Sequence, residues 1–377
     1  MRQLITYLLL LVIFVGYIEM EEEIIYVQAI WRHGDRAPNN LPYPIDRYTE
    51  TSWPRGWGQL TNNGIMQMYQ LGEYFRKRYA SFIKKFNATE IQMVSSKSNR
   101  AITSALAVLR GFFPASNQEI WLQDELWQPL PFAIDPNDAM LKPTDFNCPK
   151  YDIRRNIEND KLKRSIKRKY EKFFAFLANM TGQKNMDFKK AASLHDIQRE
   201  IYHNLTQPTW VYHTWPEFNN QRTIDIINEL KRIYRIFEFN SPIKAQMRGG
   251  LLMGDWINTA LKVSSGFSVT PTKIKLYSSH DGTVLALMYA FGIGNDLLVP
   301  YASCLFMEIY QTDDNQKILK MFYKNGTTEY QMALPGCPSH DNCTIKDLEK
   351  AIIKRKVINV EHLKMVRISS SINNDNL

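Results

Sequence analysis

Cysteine is scarce in this chain: 377 residues hold only Cys148, Cys304, Cys337 and Cys343. Four thiols cannot staple a chain of this length, so a hydrophobic core must supply most of the stability. The 44% hydrophobic composition is enough for one large domain or two smaller ones and excludes a disordered protein. Neither HExxH nor CxxC occurs, which removes the common zinc signatures. No low-complexity tract interrupts the chain. Its end, RISSSINNDNL, is polar and carries neither an apolar anchor nor a retention signal, so a soluble product is expected. The formal charge of +9 is not gathered into an arm. Basic clusters such as Lys161-Leu-Lys-Arg-Ser-Ile-Lys-Arg-Lys169 lie between acids and read as solvated helix faces, which argues against a nucleic-acid partner.

The longest apolar run stands at the start, MRQLITYLLLLVIFVGYIEMEEE, where one Arg precedes Leu4 to Val15 and acids follow. Such a run is too short to span a bilayer comfortably and reads as a signal peptide over residues 1–20. Gly16 is the small residue nearest a cleavage point, and an uncleaved anchor is the alternative. Sequons at Asn87, Asn179, Asn204, Asn325 and Asn342 fit a secreted glycoprotein, with a lysosomal or luminal location as the alternative. Cys337 and Cys343 close the short loop PGCPSHDNC and are the natural disulfide pair.

One local plan recurs three times. Ile24 to Trp31 is a nearly continuous apolar, β-branched run of strand length that ends at Arg32-His33-Gly34. Glu90 to Ser95 reads as a strand and Ala101 to Phe113 as a helix, with Arg100 at the junction. Lys273 to Ser278 reads as a strand, followed by Ser279-His280-Asp281-Gly282 and a helix from Thr283 to Phe291 capped by Asp281 or Thr283. Loops at the carboxyl ends of parallel strands are where open α/β sheets bind ligands, so these charged groups should converge on one edge. Thr61 to Ile83 reads as an amphipathic crossover helix, and Leu305 to Tyr310 with Leu319 to Tyr323 as a hairpin. Residues 129–240 are basic, aromatic and helix-rich, without good strands, and read as an inserted helical subdomain over the cleft. The expected division is 1–20 signal peptide, 21–128 and 241–346 α/β core, 129–240 helical cap, and 347–377 C-terminal tail.

Arginine binds phosphate in a planar, bidentate manner and stays protonated. Arg32, Arg36 and Arg100 around one point would hold a phosphoryl group and neutralise the charge of its transfer. A histidine among them resists protonation, which casts His33 as a nucleophile forming a phosphohistidine rather than as a base. Asp281 is the acid available to protonate the leaving group, and His280 beside it would donate to a phosphoryl oxygen. An acid optimum follows, because only protonated Asp281 serves the first step. Gly34 would let the backbone turn close to the ligand and Pro38 would fix the exit of the loop. Asp35 reads as a structural anion paired with Arg32 or Arg36. His195, His203, His213, His340 and His362 match no partner pattern and default to structural or surface roles. A metal is not expected, since the arginines would repel it, and no cofactor is implied.

These residues resemble the histidine acid phosphatases, the branch of the histidine phosphatase superfamily with prostatic and lysosomal acid phosphatases. The resemblance runs from about Ile24 to Lys346 through Arg32-His-Gly-Asp-Arg-Ala-Pro38, Gly58-Gln-Leu-Thr61, Gln70-Leu-Gly-Glu-Tyr74, Arg76-Lys-Arg-Tyr79, Leu126-Trp-Gln-Pro129, Ser279-His-Asp281, Pro300-Tyr-Ala-Ser-Cys304 and Leu334-Pro-Gly-Cys337. Secreted or intestinal acid phosphatases of invertebrates are most similar. The resemblance implies an α/β fold with a mixed, mostly parallel central sheet flanked by helices, a phosphoglycerate mutase-like core and an inserted helical subdomain. It implies the same roles for His33, Arg32, Arg36, Arg100, His280 and Asp281. Family members usually have three disulfides; the partners of Cys148 and Cys304 are missing at their expected places, near Arg199 and in the C-terminal tail, so only Cys337–Cys343 carries over. The implied partners are small phosphomonoesters, with room for phosphoproteins and a homodimer. The alternatives are a phytase or lysophosphatidic acid phosphatase of narrower specificity, and a secreted pseudoenzyme that binds phosphate without turnover.

Overall fold

The computed structural model describes residues 22–136 and 138–365, so the expected signal peptide lies outside the described residues. A seven-stranded sheet forms its centre. The strands are β1 (Glu22–Arg32), β2 (Ile91–Ser95), β3 (Ala133–Ile134), β6 (Ile274–Ser279), β7 (Cys304–Thr312), β8 (Lys317–Asn325) and β9 (Thr328–Gln331), in the spatial order β3-β2-β6-β1-β7-β8-β9. The two strands omitted from that sequence, β4 (Thr214–Trp215) and β5 (Gln221–Arg222), form a separate ribbon. β3, β2, β6 and β1 run parallel and the last three strands form an antiparallel wing, so the expected mixed, mostly parallel sheet is present.

The unbroken apolar run of β1 has a direct cause. Alternate side chains enter two different cores: Val27, Ala29 and Trp31 pack on one face of the sheet, and Tyr26 and Ile30 on the other. Gln28 is buried on the second face and survives there because its Nε2 donates to the Trp256 carbonyl at 3.0 Å.

Helices α1 (Asn62–Arg78) and α2 (Asn99–Phe112) cover the first face. Thr61 caps α1, its hydroxyl accepting from the Gly64 N–H, and Met68, Leu71 and Phe75 recur at helical spacing toward the sheet. The opposite face is covered by helices numbered after the cap: α3 (Pro149–Lys169), α4 (Glu171–Thr181), α5 (Phe188–Ser193), α6 (Ile197–Tyr202) and α7 (Thr223–Ile236) belong to the cap, while α8 (Pro242–Ser264) and α9 (Asp281–Phe291) pack on the sheet. The cap helices surround their own core of Phe173, Leu177, Ile197, Trp215, Ile227 and Leu230, and Tyr43 from the loop after β1 joins it.

Three sequence expectations shift. β3 is the sheet edge yet lies inside 129–240, because two residues are too few to display a period. The stretch from 347 is more than a tail: α10 (Ile345–Ile352) and α11 (Val360–Met365) follow the sheet, and fully buried Val357 packs on Gly250 and Gly254 of α8. His280, not Asp281 or Thr283, is the N-cap residue of α9, since β6 runs to Ser279 and the helix begins at once. Cys337 and Cys343 are bonded as expected, while Cys148 and Cys304 are free and buried in separate clusters.

The antiparallel wing is tied to α1 through Glu308, a fully buried carboxylate that accepts both Nε and Nη2 of Arg78, at 2.6 and 2.9 Å, and the Tyr79 hydroxyl at 2.8 Å. Arg78 also reaches the more exposed Glu329 at 2.8 Å. Arg78→Met should cost about 3 kcal/mol, because it strands a buried charge, whereas Glu329→Gln should cost less than about 1 kcal/mol. Urea unfolding of both variants measures the contrast, and equal losses would contradict the buried origin.

Candidate active site

Register puts the three charged loops at one level. Arg32 of β1 pairs with Ser279 of β6, and Ser278 pairs with Ser95 of β2. The backbone ladder continues past the strand ends, with His33 N donating to Ser279 O at 3.0 Å and Ser96 N to Ser278 O at 3.1 Å. The three loops therefore leave side by side, and they open on a cavity of about 1130 Å³ whose walls include Arg32, His33, Arg36, Arg100, His280 and Asp281. All six expected residues meet there.

His33 is buried, and its Nδ1 lies 2.8 Å from the Gly34 carbonyl. A carbonyl only accepts, so Nδ1 carries the hydrogen and Nε2 keeps its lone pair. Burial holds the imidazole well below its ordinary pKa, and His280, Arg32, Arg100 and Arg36 add to the effect. His280 stacks edge-on to it at 5.4 Å and is held by Ser96, whose Oγ is 2.8 Å from His280 Nε2. Burial, then Arg100 and Lys142, keep His280 neutral as well.

The arginines are clamped from behind. Arg32 donates to Val299 O at 2.6 Å and lies over the Tyr301 ring at 3.8 Å, while Arg36 donates to Ala37 O at 2.6 Å. Arg100 sits in the first turn of α2. The Nε of each is buried without a hydrogen-bond partner among the described residues. Buried guanidinium donors left over in a cavity fit an oxyanion. Cations outnumber carboxylates in its lining, and no cluster of metal-ligating groups occurs among the described residues.

Asp281 faces opposing influences. Burial pushes its carboxyl up, but Arg235, whose Nε is 3.1 Å away, together with Arg32, Lys231 and His33, outweighs burial and holds it well below the usual carboxylate range.

Asp35 departs from expectation. It pairs with neither arginine: its Oδ2 accepts the Thr61 hydroxyl and meets His203 Nε2, both at 2.6 Å, and its backbone N–H donates to Gln67 at 2.9 Å. The loop turns both arginines into the cavity and Asp35 toward the start of α1. His203 thus takes the structural one of its two expected roles, as a partner of the loop. Gly34 serves a different contact from the one expected. A Cβ there would overlap the Gly64 carbonyl, and a Cβ at Gly64 would overlap the Asp35 backbone, so the two glycines let α1 press onto the loop.

Sequence reading missed the cap's contribution. Lys142, Arg199, Lys231 and Arg235 line the cavity, making seven cations against the three carboxylates Asp145, Asp196 and Asp281. Arg199 donates to the Tyr301 hydroxyl at 2.7 Å and is paired with Asp196. Burial, then Arg235, lowers the Lys231 ammonium to about 7. Nothing in their sequence context separates these cations from surface ones; Tyr301 alone lay in a quoted motif.

Gly34→Ala should lower stability by about 2 kcal/mol or more, since both colliding groups are backbone. Gly58→Ala, whose Cβ would meet only the far end of the Asn39 side chain, isolates the cost of a left-handed backbone without overlap. Denaturation midpoints that do not rank Gly34→Ala lower would overturn the close-contact account.

The model of the histidine phosphatase superfamily (branch 2) matches residues 23–324. Human prostatic acid phosphatase is 33% identical over 329 residues, covering 84% of this chain and 82% of the relative. The lysosomal acid phosphatase of Xenopus laevis is 31% identical over 366 residues, covering 93% and 80%. Among solved structures, the phytase from Citrobacter braakii superimposes with a TM-score of 0.67 at 16% identity, covering 91% of this chain and 100% of the phytase, which is a likeness of fold.

Proposed function

The chain belongs to branch 2 of the histidine phosphatase superfamily, and from that premise we propose that it is an acid phosphatase hydrolysing phosphate monoesters through a phosphohistidine on His33. The observation that carries the reading is the single hydrogen of His33. Donated from Nδ1 to the Gly34 carbonyl, it leaves the Nε2 lone pair free inside a ring of arginines.

Arg32, Arg36 and Arg100 bind the phosphoryl oxygens, and His280 contacts one of them. Nε2 attacks phosphorus, the ester P–O bond breaks, and the departing alkoxide takes the proton of Asp281. Water then attacks the phosphohistidine, gives a proton back to Asp281, and orthophosphate leaves with the P–N bond broken. His33 stays neutral in acid because burial and its cationic neighbours oppose a second proton. Asp281, ionised in the free protein, regains its proton when a bound dianion offsets Arg235, Arg32 and Lys231.

The cap residues 129–240 act as the second wall. A cavity of about 1130 Å³ with cations beyond the three arginines favours substrates carrying a second anionic group, the narrower alternative. Rates on inositol hexakisphosphate, lysophosphatidate and phosphotyrosine separate the two. Exposure of all five sequon asparagines and the Cys337–Cys343 bond support a secreted or luminal glycoprotein. Among the described residues no helix is long and apolar enough to cross a membrane. Exposed Ile120, Trp121, Leu122, Leu126 and Trp127, with Ile134 on edge strand β3, support a homodimer through that side.

His33→Ala should abolish hydrolysis of an aryl phosphate at about pH 5, where EDTA should leave the wild type unaffected. Unchanged turnover in the variant would sink the phosphohistidine. Asp281→Ala should slow alkyl phosphates more than p-nitrophenyl phosphate, because only the poor leaving group needs the proton. Asp281→Asn should bind orthophosphate about tenfold more tightly than the wild type near pH 7, having lost the carboxylate that repels the dianion. Calorimetric titration showing weaker binding would remove Asp281 from the phosphate site.

A further inference from the structure

Behind the cavity wall lie two buried carboxyls that the chemistry does not use. Asp46 closes the loop after β1, whose residues Asn39 to Pro44 line the cavity, and Glu200 is a fully buried residue of α6. Asp46 Oδ1 accepts the Tyr48 N–H at 2.9 Å, and Glu200 Oε2 accepts Gln207 Nε2 at 2.9 Å. The remaining oxygens, Asp46 Oδ2 and Glu200 Oε1, are both buried and receive no donor from the described residues.

The two carboxyl groups neighbour each other, and each keeps one buried oxygen that no donor among the described residues reaches. Two carboxylates cannot bond, since each only accepts, whereas one proton between them converts the contact to O–H···O⁻ and satisfies both leftover oxygens. We propose that Asp46 and Glu200 share one proton, and that this bond fastens the cavity wall to the helix bearing Arg199, making both of them positioning residues for the site.

The surroundings favour that proton. Burial pushes Glu200 up to about 8, with Asp46 adding to it, and burial raises Asp46 as well. Arg47 faces the pair and opposes this, but its guanidinium is spent on Tyr48 and the Thr206 carbonyl at the exposed side. The phenol of Tyr43 also faces the pair, and burial followed by Asp46 and Glu200 pushes it above its ordinary value.

The mechanical link is short. α6 carries Arg199, whose Nε holds the Tyr301 hydroxyl at 2.7 Å, and the Tyr301 ring lies 3.8 Å from the Arg32 guanidinium. His203, next after α6, holds Asp35 at 2.6 Å. Because the folded state binds the proton of Glu200 more tightly than the unfolded chain, the stabilisation is full below the ordinary value of 4.5. It is lost progressively as pH rises toward about 8. The bond is thus intact in acid and broken in alkali.

The positioning role rests on the phosphatase reading; the shared proton does not. Glu200→Gln supplies a permanent donor to Asp46 Oδ2 and keeps an acceptor for Gln207, and Asp46→Asn does the converse should the first variant fail to fold. Near pH 6 the wild type should show the infrared carbonyl band of a protonated carboxyl, and either variant should lack it. The folding constant of the variant relative to wild type should rise by up to about tenfold per pH unit between pH 5 and pH 8. A band unchanged in the variants, or a stability difference independent of pH, overturns the shared proton. Across the same window the dissociation constant for orthophosphate should rise more in the wild type than in Glu200→Gln. Parallel curves overturn the positioning role, whereas tight phosphate binding without turnover overturns only the hydrolase reading.

Discussion

Mutual repulsion among buried arginines is the constraint from which the rest of the site follows. Burial and neighbouring Arg199 disfavour the charge on Arg36, and burial does the same at Arg100. Such a cluster would disperse on a soft support. It is held by features of the fold: aligned strand ends, carbonyls of Val299 and Ala37 behind the guanidinium groups, and a loop pinned by Asp35 to Thr61 and His203. The Gly34–Gly64 contact belongs to the same support, since it lets a helix lie directly on the loop. The repulsion that remains among the arginines is what a phosphate dianion would relieve on binding.

The same field sorts the titratable groups. Burial, reinforced by the cations, presses His33 and His280 toward the neutral form, and the cations outweigh burial to hold Asp281 in the ionised form. On the proposed mechanism, the same surroundings prepare a nucleophile and a base, and make the acid conditional on substrate. In that mechanism Asp281 would become a donor only when the anion is present, which would tie protonation of the leaving group to occupancy of the site.

The sheet half of this arrangement was legible in sequence because each loop follows a segment that reads as a strand, most plainly the apolar run of β1. β1, β2 and β6 are buried on both faces, and their ends mark where Arg32, His33, Arg100, His280 and Asp281 must lie. The cap half was not legible. Arg199, Lys231 and Arg235 sit on amphipathic helices among many other cations, and only tertiary packing turns these three inward. Asp35 is the structural anion expected, but its partner was misassigned for a related reason: His203 is 168 positions away, while the two arginines lie within three positions of it in the chain. Proximity in sequence is a poor guide where a loop alternates its side chains between a cavity and a supporting helix.

Chemistry and selectivity thus come from different layers. The groups proposed to touch phosphorus or its oxygens arise at strand ends, where backbone ladders fix them. Cations that would meet the rest of a substrate arise on the helical cap, which has its own core in Phe173, Trp215 and Leu230. Such a cap can change its inward residues without disturbing the sheet. Tyr43 and Asp46 are the joints between the layers: one packs into the cap core and the other meets Glu200 on α6. A cavity built between two cores is only as well formed as the contacts that join them, so a single carboxyl pair at that joint can bear on the phosphate site without touching it.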